Sequence, residues 1–264
     1  MKRLILLLAI VLAGQQSKSQ DRVFTRTYQS NVIPAGAMEL EYWNTLRSGR
    51  THFYNAIDQR LELELGLGKK LQTAFYINFS TVAFSPNDSV IFKDHSISFS
   101  NEWKLKLSDP VANTIGTALY FEFGFDGQEL ELEGKLILDK QIGKNIFAAN
   151  IVGEYEMEFE AEDGEIEMET ETPVELDLAY MRLLGKSAGL GLEIRNHNEI
   201  KQGEWEHSAW FAGPSFHVRG DNWFINLNVL PQLFNAKKEE GSTENLVLDE
   251  HEKVEARLLL SFSF

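Results

Sequence analysis

Residues 254–264 read VEARLLLSFSF, and the fold turns on this ending. Counting back from the terminus, Phe264, Phe262, Leu260, Leu258, Ala256 and Val254 share one face. Ser263, Ser261, Leu259, Arg257, Glu255 and Lys253 share the other. Apolar side chains at every second position follow the period of a β-strand, in which neighbouring side chains point to opposite faces. The question is what lies against the oily face of a chain this acidic.

The same period recurs along the sequence. In RLELELGLG, residues 60–68, Leu61, Leu63, Leu65 and Leu67 oppose Arg60, Glu62 and Glu64. In TIGTALYFEFGF, residues 114–125, Ile115, Leu119, Phe121, Phe123 and Phe125 oppose Gly116, Ala118, Tyr120, Glu122 and Gly124. In SFSNEWKLKL, residues 98–107, Phe99, Trp103, Leu105 and Leu107 oppose Ser98, Ser100, Glu102, Lys104 and Lys106. Stretches of this kind number about twelve, one of them running unbroken over 165–182, which is the content of an all-β domain. Pro214 and Pro231 fall inside two of them and remove ladder donors, so bulges are expected at both.

The beginning supplies an address. Lys2 and Arg3 precede an apolar run from Leu4 to Ala13, followed by small polar residues including Ser17 and Ser19. That is the order of a secretory signal, with a core too short for a membrane helix. Residues 1–20 are therefore expected to be a signal peptide, and residues 21–264 a single β domain. The chain has 25 basic and 40 acidic residues, and residues 1–20 hold three bases and no acid. The remainder thus carries 22 bases against 40 acids, a net charge of −18, which argues against nucleic acid as a partner. Cysteine is absent, so disulfides do not hold the exported domain together.

Two patterns favour a membrane barrel over a soluble sandwich. Alternate connections are tight, as in GLGKK, DKQIGK, LGKSAG and RGDN, while SPNDSVIFKDH and NAKKEEGSTENLVLDEHE are longer and more polar. Short turns at one end and longer loops at the other characterise transmembrane barrels. Trp43, Trp103, Trp205, Trp210 and Trp223, with Tyr28, Tyr42, Tyr54 and Tyr180, fall mostly near strand ends, as interfacial girdles require.

The ending, with its outward set Phe264, Phe262, Leu260 and Leu258, resembles the C-terminal assembly signal of Gram-negative bacterial outer-membrane β-barrel proteins. WFAGPSFHVRGDNWFINLNVLPQLF, residues 210–234, looks like the penultimate hairpin of uncharacterised members of that group. The resemblance implies an antiparallel up-and-down barrel of about twelve strands in the outer membrane. It also implies contact with outer-membrane lipid and recognition by the barrel-assembly machinery, the last strand pairing with the first.

On this reading the polar faces look inward. Glu154, Glu156, Glu158 and Glu160 ascend one strand, and Glu165, Glu167, Glu169 and Glu171 descend the next around Asp163 and Gly164. Rows of like charge repel, so some of these carboxylates are expected to hold cations, rise in pKa or pair with lysine. Their functional reading is a negative vestibule that concentrates cations. The plain alternative is a solvated hairpin kept soluble by charge. Glu62, Glu64, Glu122, Glu131, Glu133, Lys104, Lys106 and Arg257 join the pore-lining set by parity.

The expected function is a passive pore or solute channel for small solutes or cations, with no cofactor and no enzymatic site. The sequence holds no nucleophile elbow, zinc-binding histidine pair or phosphate loop. His207 and Ser208 are neighbours and so point to opposite faces of a strand. A membrane-embedded lipid hydrolase built on His207 or His217 is one alternative, and a soluble periplasmic β-sandwich that binds a ligand is another. His52, His95, His197 and His251 are expected to be solvated loop histidines.

Overall fold

The alternating stretches become thirteen strand segments in a computed structural model that describes residues 22–162, 165–237 and 245–264. The expected signal peptide and the turn at Asp163 and Gly164 lie outside the described residues, as do residues 238–244 of the longest loop. The segments are β1 (Met38–Ser48), β2 (Tyr54–Gly66), β3 (Leu71–Phe84), β4 (Phe92–Ser108), β5 (Gly116–Phe125), β6 (Glu129–Ile142) and β7 (Asn145–Glu162). They continue as β8 (Glu165–Glu171), β9 (Val174–Leu183), β10 (Ala188–Lys201), β11 (Glu204–Arg219), β12 (Trp223–Asn235) and β13 (Val254–Ser263).

Each segment pairs antiparallel with its neighbours in sequence, except that β8 and β9 do not pair with each other, and the ends meet. β13 pairs with β1 from Glu39↔Ser263 to Ser48↔Val254. The backbone amide of Phe264 adds a hydrogen bond to Met38 O at 2.9 Å. The sheet is thus a closed barrel rather than two stacked sheets, which removes the sandwich alternative. Closure leaves no edge with unpaired N–H and C=O groups.

The barrel has twelve staves because β8 and β9 are two arms of one. β7 pairs with β9 over Asn145–Gly153 and with β8 over Glu156–Glu162. Pro173 has no N–H to donate, which breaks the stave between the arms. The ladder is carried across the break by Glu154 N to Pro173 O and by Thr172 N to Ile200 O, each 2.9 Å.

The faces are sorted oppositely to a soluble protein. Phe75, Phe99 and Leu192 point outward and are 53%, 58% and 56% exposed. On the inward positions Glu62 is 1% exposed, while Glu102 and Asn228 are fully buried. The outward band is therefore built for an apolar medium and the inward one for charges that face each other.

Three expectations need correction. Trp43 is not part of a girdle: it lies on the inward face of β1, 5% exposed, against Phe224 and Leu259. Tyr28 likewise lies inside the barrel, its ring 5.1 Å from that of Tyr120. Pro214 and Pro231 do not form bulges. Phe211↔Gln232 and Ser215↔Asn228 keep one register on either side of them, and the shift falls at Trp210/Phe211. Between those pairs the strands come so close that a Cβ on Gly213 would lie 1.8 Å from Val229 O.

Gly213→Ala should therefore lower the urea midpoint of unfolding in detergent, by about 1–3 kcal/mol of overpacking strain. Gly134→Ala, where a Cβ meets nothing within 4 Å, should leave the midpoint in place. Equal midpoints for both would contradict the close approach.

The turn after β4 supplies a second test. Lys106 and the backbone N–H groups of Ala112 and Val111 hold the Asp109 carboxyl down at about 2. A depressed folded pKa stabilises above the ordinary value of 3.8, and that contribution is lost as pH falls through about 2. NMR titration of the Asp109 carboxyl carbon should show its midpoint near 2, whereas a midpoint near 3.8 would show the turn unformed.

Candidate functional site

The inward faces of β9, β10 and β13 place Glu175, Asp177, Arg195, Glu255 and Arg257 around one level of the lumen. Arg195 pairs with Glu175 and lies 3.5 Å from Glu255, and Arg257 lies 3.3 Å from Glu255. Arg26, from the segment before β1, reaches Glu255 at 3.1 Å, Glu175 at 3.5 Å and Asp177 at 3.7 Å. Three guanidinium groups and three carboxylates thus form a belt across the barrel. Arg60 with Glu122 at 3.6 Å, and Lys135 with Glu133 at 2.9 Å, extend the pairing. Buried ions persist only when paired in this way.

Arg26 is there because residues 22–33 fold back into the barrel from the end that carries the termini. Phe24, Thr25, Thr27 and Ser30 are all fully buried. The segment has no strand, so inward side chains satisfy its backbone. Glu193 on β10 accepts from Thr25 N at 3.1 Å, Arg26 N at 2.8 Å and Thr27 N at 3.0 Å. The same carboxylate takes the hydroxyls of Thr25 and Ser215 and the amide of Asn228.

Asn150 brackets Tyr28, accepting from its N at 2.6 Å and donating to its O at 3.0 Å. Gln72 receives Ile33 N at 3.0 Å, and Asn226 donates to the carbonyls of Arg22 and Phe24. Val23 and Phe24 pack on Ile146, Ala148, Ala179 and Met181. Beside this plug, the gap lined by Arg22, Tyr28, Glu41, Glu64 and Lys104 measures only 30 Å³, room for about one or two waters.

On the loop side of the belt the lumen widens to a cavity of 470 Å³. Glu131, Glu133, Glu154 and Glu156 line it together with Glu122 and Arg257 from the belt region. The carboxylate rows stand opposite one another in register, as Glu129↔Glu158, Glu131↔Glu156 and Glu133↔Glu154 on β6 and β7. On β7 and β8 the backbone register sets Glu156 opposite Glu171, Glu158 opposite Glu169, Glu160 opposite Glu167 and Glu162 opposite Glu165. Lys201 pairs with Glu171 at 2.7 Å and Glu169 at 3.4 Å, one of the forms of relief expected for like charges in rows.

The remaining members of the sequence-derived set lie elsewhere. Glu62 and Glu64 flank the plug with Glu41, and Lys104 and Lys106 lie toward the same end, Lys106 bound to Asp109 and Asn31. Parity identifies the face of such residues but not their depth along the barrel axis. The plug itself was missed. Its trace in the sequence is the set of uncharged amides and hydroxyls on inward positions: Gln72, Asn150 and Asn226, which bond the backbone of the plug, and Ser215 and Asn228, which bond the Glu193 carboxylate that holds it.

The histidines also depart from expectation. His197 and His251 are not solvated: with His207 they form a cluster in which His207 Nε2 and His251 Nε2 lie 2.7 Å apart. Neither hydrolase candidate holds a serine. Ser208 bonds Asn196 on the other face, Ser215 bonds Glu193, and His217 bonds Asn226 at 2.6 Å.

Residues 16–264 match a family of unknown function (DUF6662), and the chain belongs to that family. No curated protein matches the sequence significantly. Among solved structures, the COG4313 outer membrane channel from Pseudomonas putida F1 superposes with a TM-score of 0.62 at 11% identity, covering 92% of this chain and 100% of that one. The translocator domain of the autotransporter NalP from Neisseria meningitidis gives 0.61 at 11% identity, covering 86% and 88%. The NanC porin gives 0.53 at 10% identity, covering 84% and 98%. The fold is that of outer-membrane β-barrels.

Glu193 is the anchor of the plug, and hydrogen bonds to a charged group contribute about 1.5–3 kcal/mol each. Glu193→Leu should accelerate hydrogen exchange at Thr25, Arg26 and Thr27 by roughly 10–100-fold while the strand amides of β1 and β13 stay protected. Unchanged exchange at the three amides would show that the segment is held by other means.

Proposed function

We propose that this member of the DUF6662 family is a passive outer-membrane channel with an acidic, cation-leaning mouth, closed at rest by its own N-terminal segment. The observation that carries the reading is the 470 Å³ charged vestibule ending on a plug that wall side chains hold without ladder pairing. Segments held in that way move at smaller cost than barrel strands, whose hydrogen bonds have no substitute in lipid. The resemblance to an outer membrane channel and a porin supports the same assignment.

Residues 1–20 serve export, and the closing strand, with Phe264, Phe262, Leu260 and Leu258 outward, is the feature read by the assembly machinery. The belt balances three arginines against three acids, so it favours neither sign. Selectivity comes from the vestibule, where Glu131, Glu154 and Glu156 outnumber the lysines and draw cations in.

Planar-bilayer recording tests this. The intact protein should conduct little, and deletion of residues 22–33 should open a conductance whose reversal potential in a salt gradient favours the cation. Replacing Glu131, Glu154 and Glu156 with glutamine should move that potential toward zero. A folded deletion variant, verified by heat-modifiable migration, that never conducts would overturn the channel; anion preference would overturn the acidic mouth.

A further inference from the structure

At the loop end of the lumen, three imidazoles converge from separate parts of the chain. His197 and His207 face inward from β10 and β11, with Glu199 directly opposite His207 in the ladder. His251 comes from the loop between β12 and β13. Its ring centroid lies 4.6 Å from that of each of the other two, and 5.9 Å from that of Phe211.

The loop is placed by its own bonds. Val247 N donates to Gln232 at 2.6 Å, Thr51 N donates to Leu248 O at 2.9 Å, and Lys253 N donates to Gly49 O at 2.6 Å. One nitrogen of each ring lies within 4.8 Å of the others.

The surroundings are those of a metal site. Glu175 lies 2.7 Å and Arg195 Nη2 3.0 Å from His197 Nδ1, so wall partners take up that nitrogen and leave Nε2 to face inward; carboxylates orient metal-bound histidines in this way. His197 Nε2 is 3.2 Å from Glu199 Oε2, while Glu199 Oε1 is buried with no hydrogen-bond partner. Neutral imidazoles have lone pairs to offer, and a pair of Nε2 atoms at 2.7 Å can use only one of them on the other.

We propose that His197, His207, His251 and Glu199 bind one Zn²⁺ ion, which pins the β12–β13 loop to the wall at the mouth of the barrel. Three histidines and a carboxylate make a tetrahedral nitrogen–oxygen set, and no cysteine is present to select softer ions. Ligation at about 2.0–2.1 Å sets the donor atoms roughly 3.3 Å apart, within reach of small rotations of the rings. The site does not depend on conduction, and it holds for a closed barrel as well as an open one.

Zinc titration of the refolded full-length protein, followed by a chelator competition assay, tests this directly. One tight equivalent per chain is expected, together with slower hydrogen exchange over Leu248–Lys253. His207→Ala and His251→Ala should each weaken binding more than about 100-fold, and Glu175→Gln, which takes the orienting carboxylate from His197 along with a belt partner from Arg26 and Arg195, by about 10–100-fold.

His251 lies outside every ladder, so His251→Ala remains informative if His207→Ala disturbs folding. The exposed His95→Ala variant should bind like the parent. Absence of a tight equivalent, or binding that survives His251→Ala, would overturn the site.

Discussion

Everything in this molecule depends on the closure of its ladder. A strand in hydrocarbon has no water to satisfy an unpaired amide, so β13 must meet β1, and the pairing from Glu39↔Ser263 to Ser48↔Val254 accomplishes it. Closure then dictates the rest. With the apolar positions of every stave outward, the charged positions face a confined interior and must find partners there. The belt of Arg26, Arg195 and Arg257 with Glu175, Asp177 and Glu255 is that requirement met. Surplus acid is pushed to the loop end, where the cavity is wide enough for water to hydrate it.

Irregular backbone at membrane depth is tolerated only where protein supplies its hydrogen bonds. Residues 22–33 meet that condition through a division of labour in the wall. Glu193 takes a run of three amides, Asn150 copies a strand neighbour for Tyr28, and Gln72 and Asn226 finish the ends. A channel filled only with water would have no use for these amides at such spacing. Their presence on the strands and the presence of the plug are one fact seen from two sides.

Most of the architecture was legible because a period of two is a one-dimensional signal. Each stave and the inward and outward faces follow from counting alternate residues, whereas the continuous strand read over 165–182 is broken at Pro173 into β8 and β9. Depth and fold-back are not one-dimensional. Parity assigns Glu62 and Glu154 to the same face, yet one lies beside the plug and the other in the vestibule. Trp43 looked like a girdle residue because aromatic rings suit interfaces, but its Nε1 donates to Glu41 inside the barrel at 2.9 Å. His251 was hidden for a different reason: nothing in its neighbourhood shows that a loop re-enters the mouth to meet residues 44 and 54 positions earlier.

The two segments that enter the lumen, one from each end, are joined through the belt. Arg26 of the plug contacts Glu175, Glu175 orients His197, and His197 meets Glu199 and the ring of His251. Withdrawing the plug removes one of three arginines from the belt and leaves Glu175, Asp177 and Glu255 to share Arg195 and Arg257. An uncompensated carboxylate in that position costs several kcal/mol unless water replaces the missing charge. In the channel proposed above, resistance to opening therefore resides as much in the electrostatics of the belt as in the hydrogen bonds to Glu193, and hydration of the lumen is the step that relieves both.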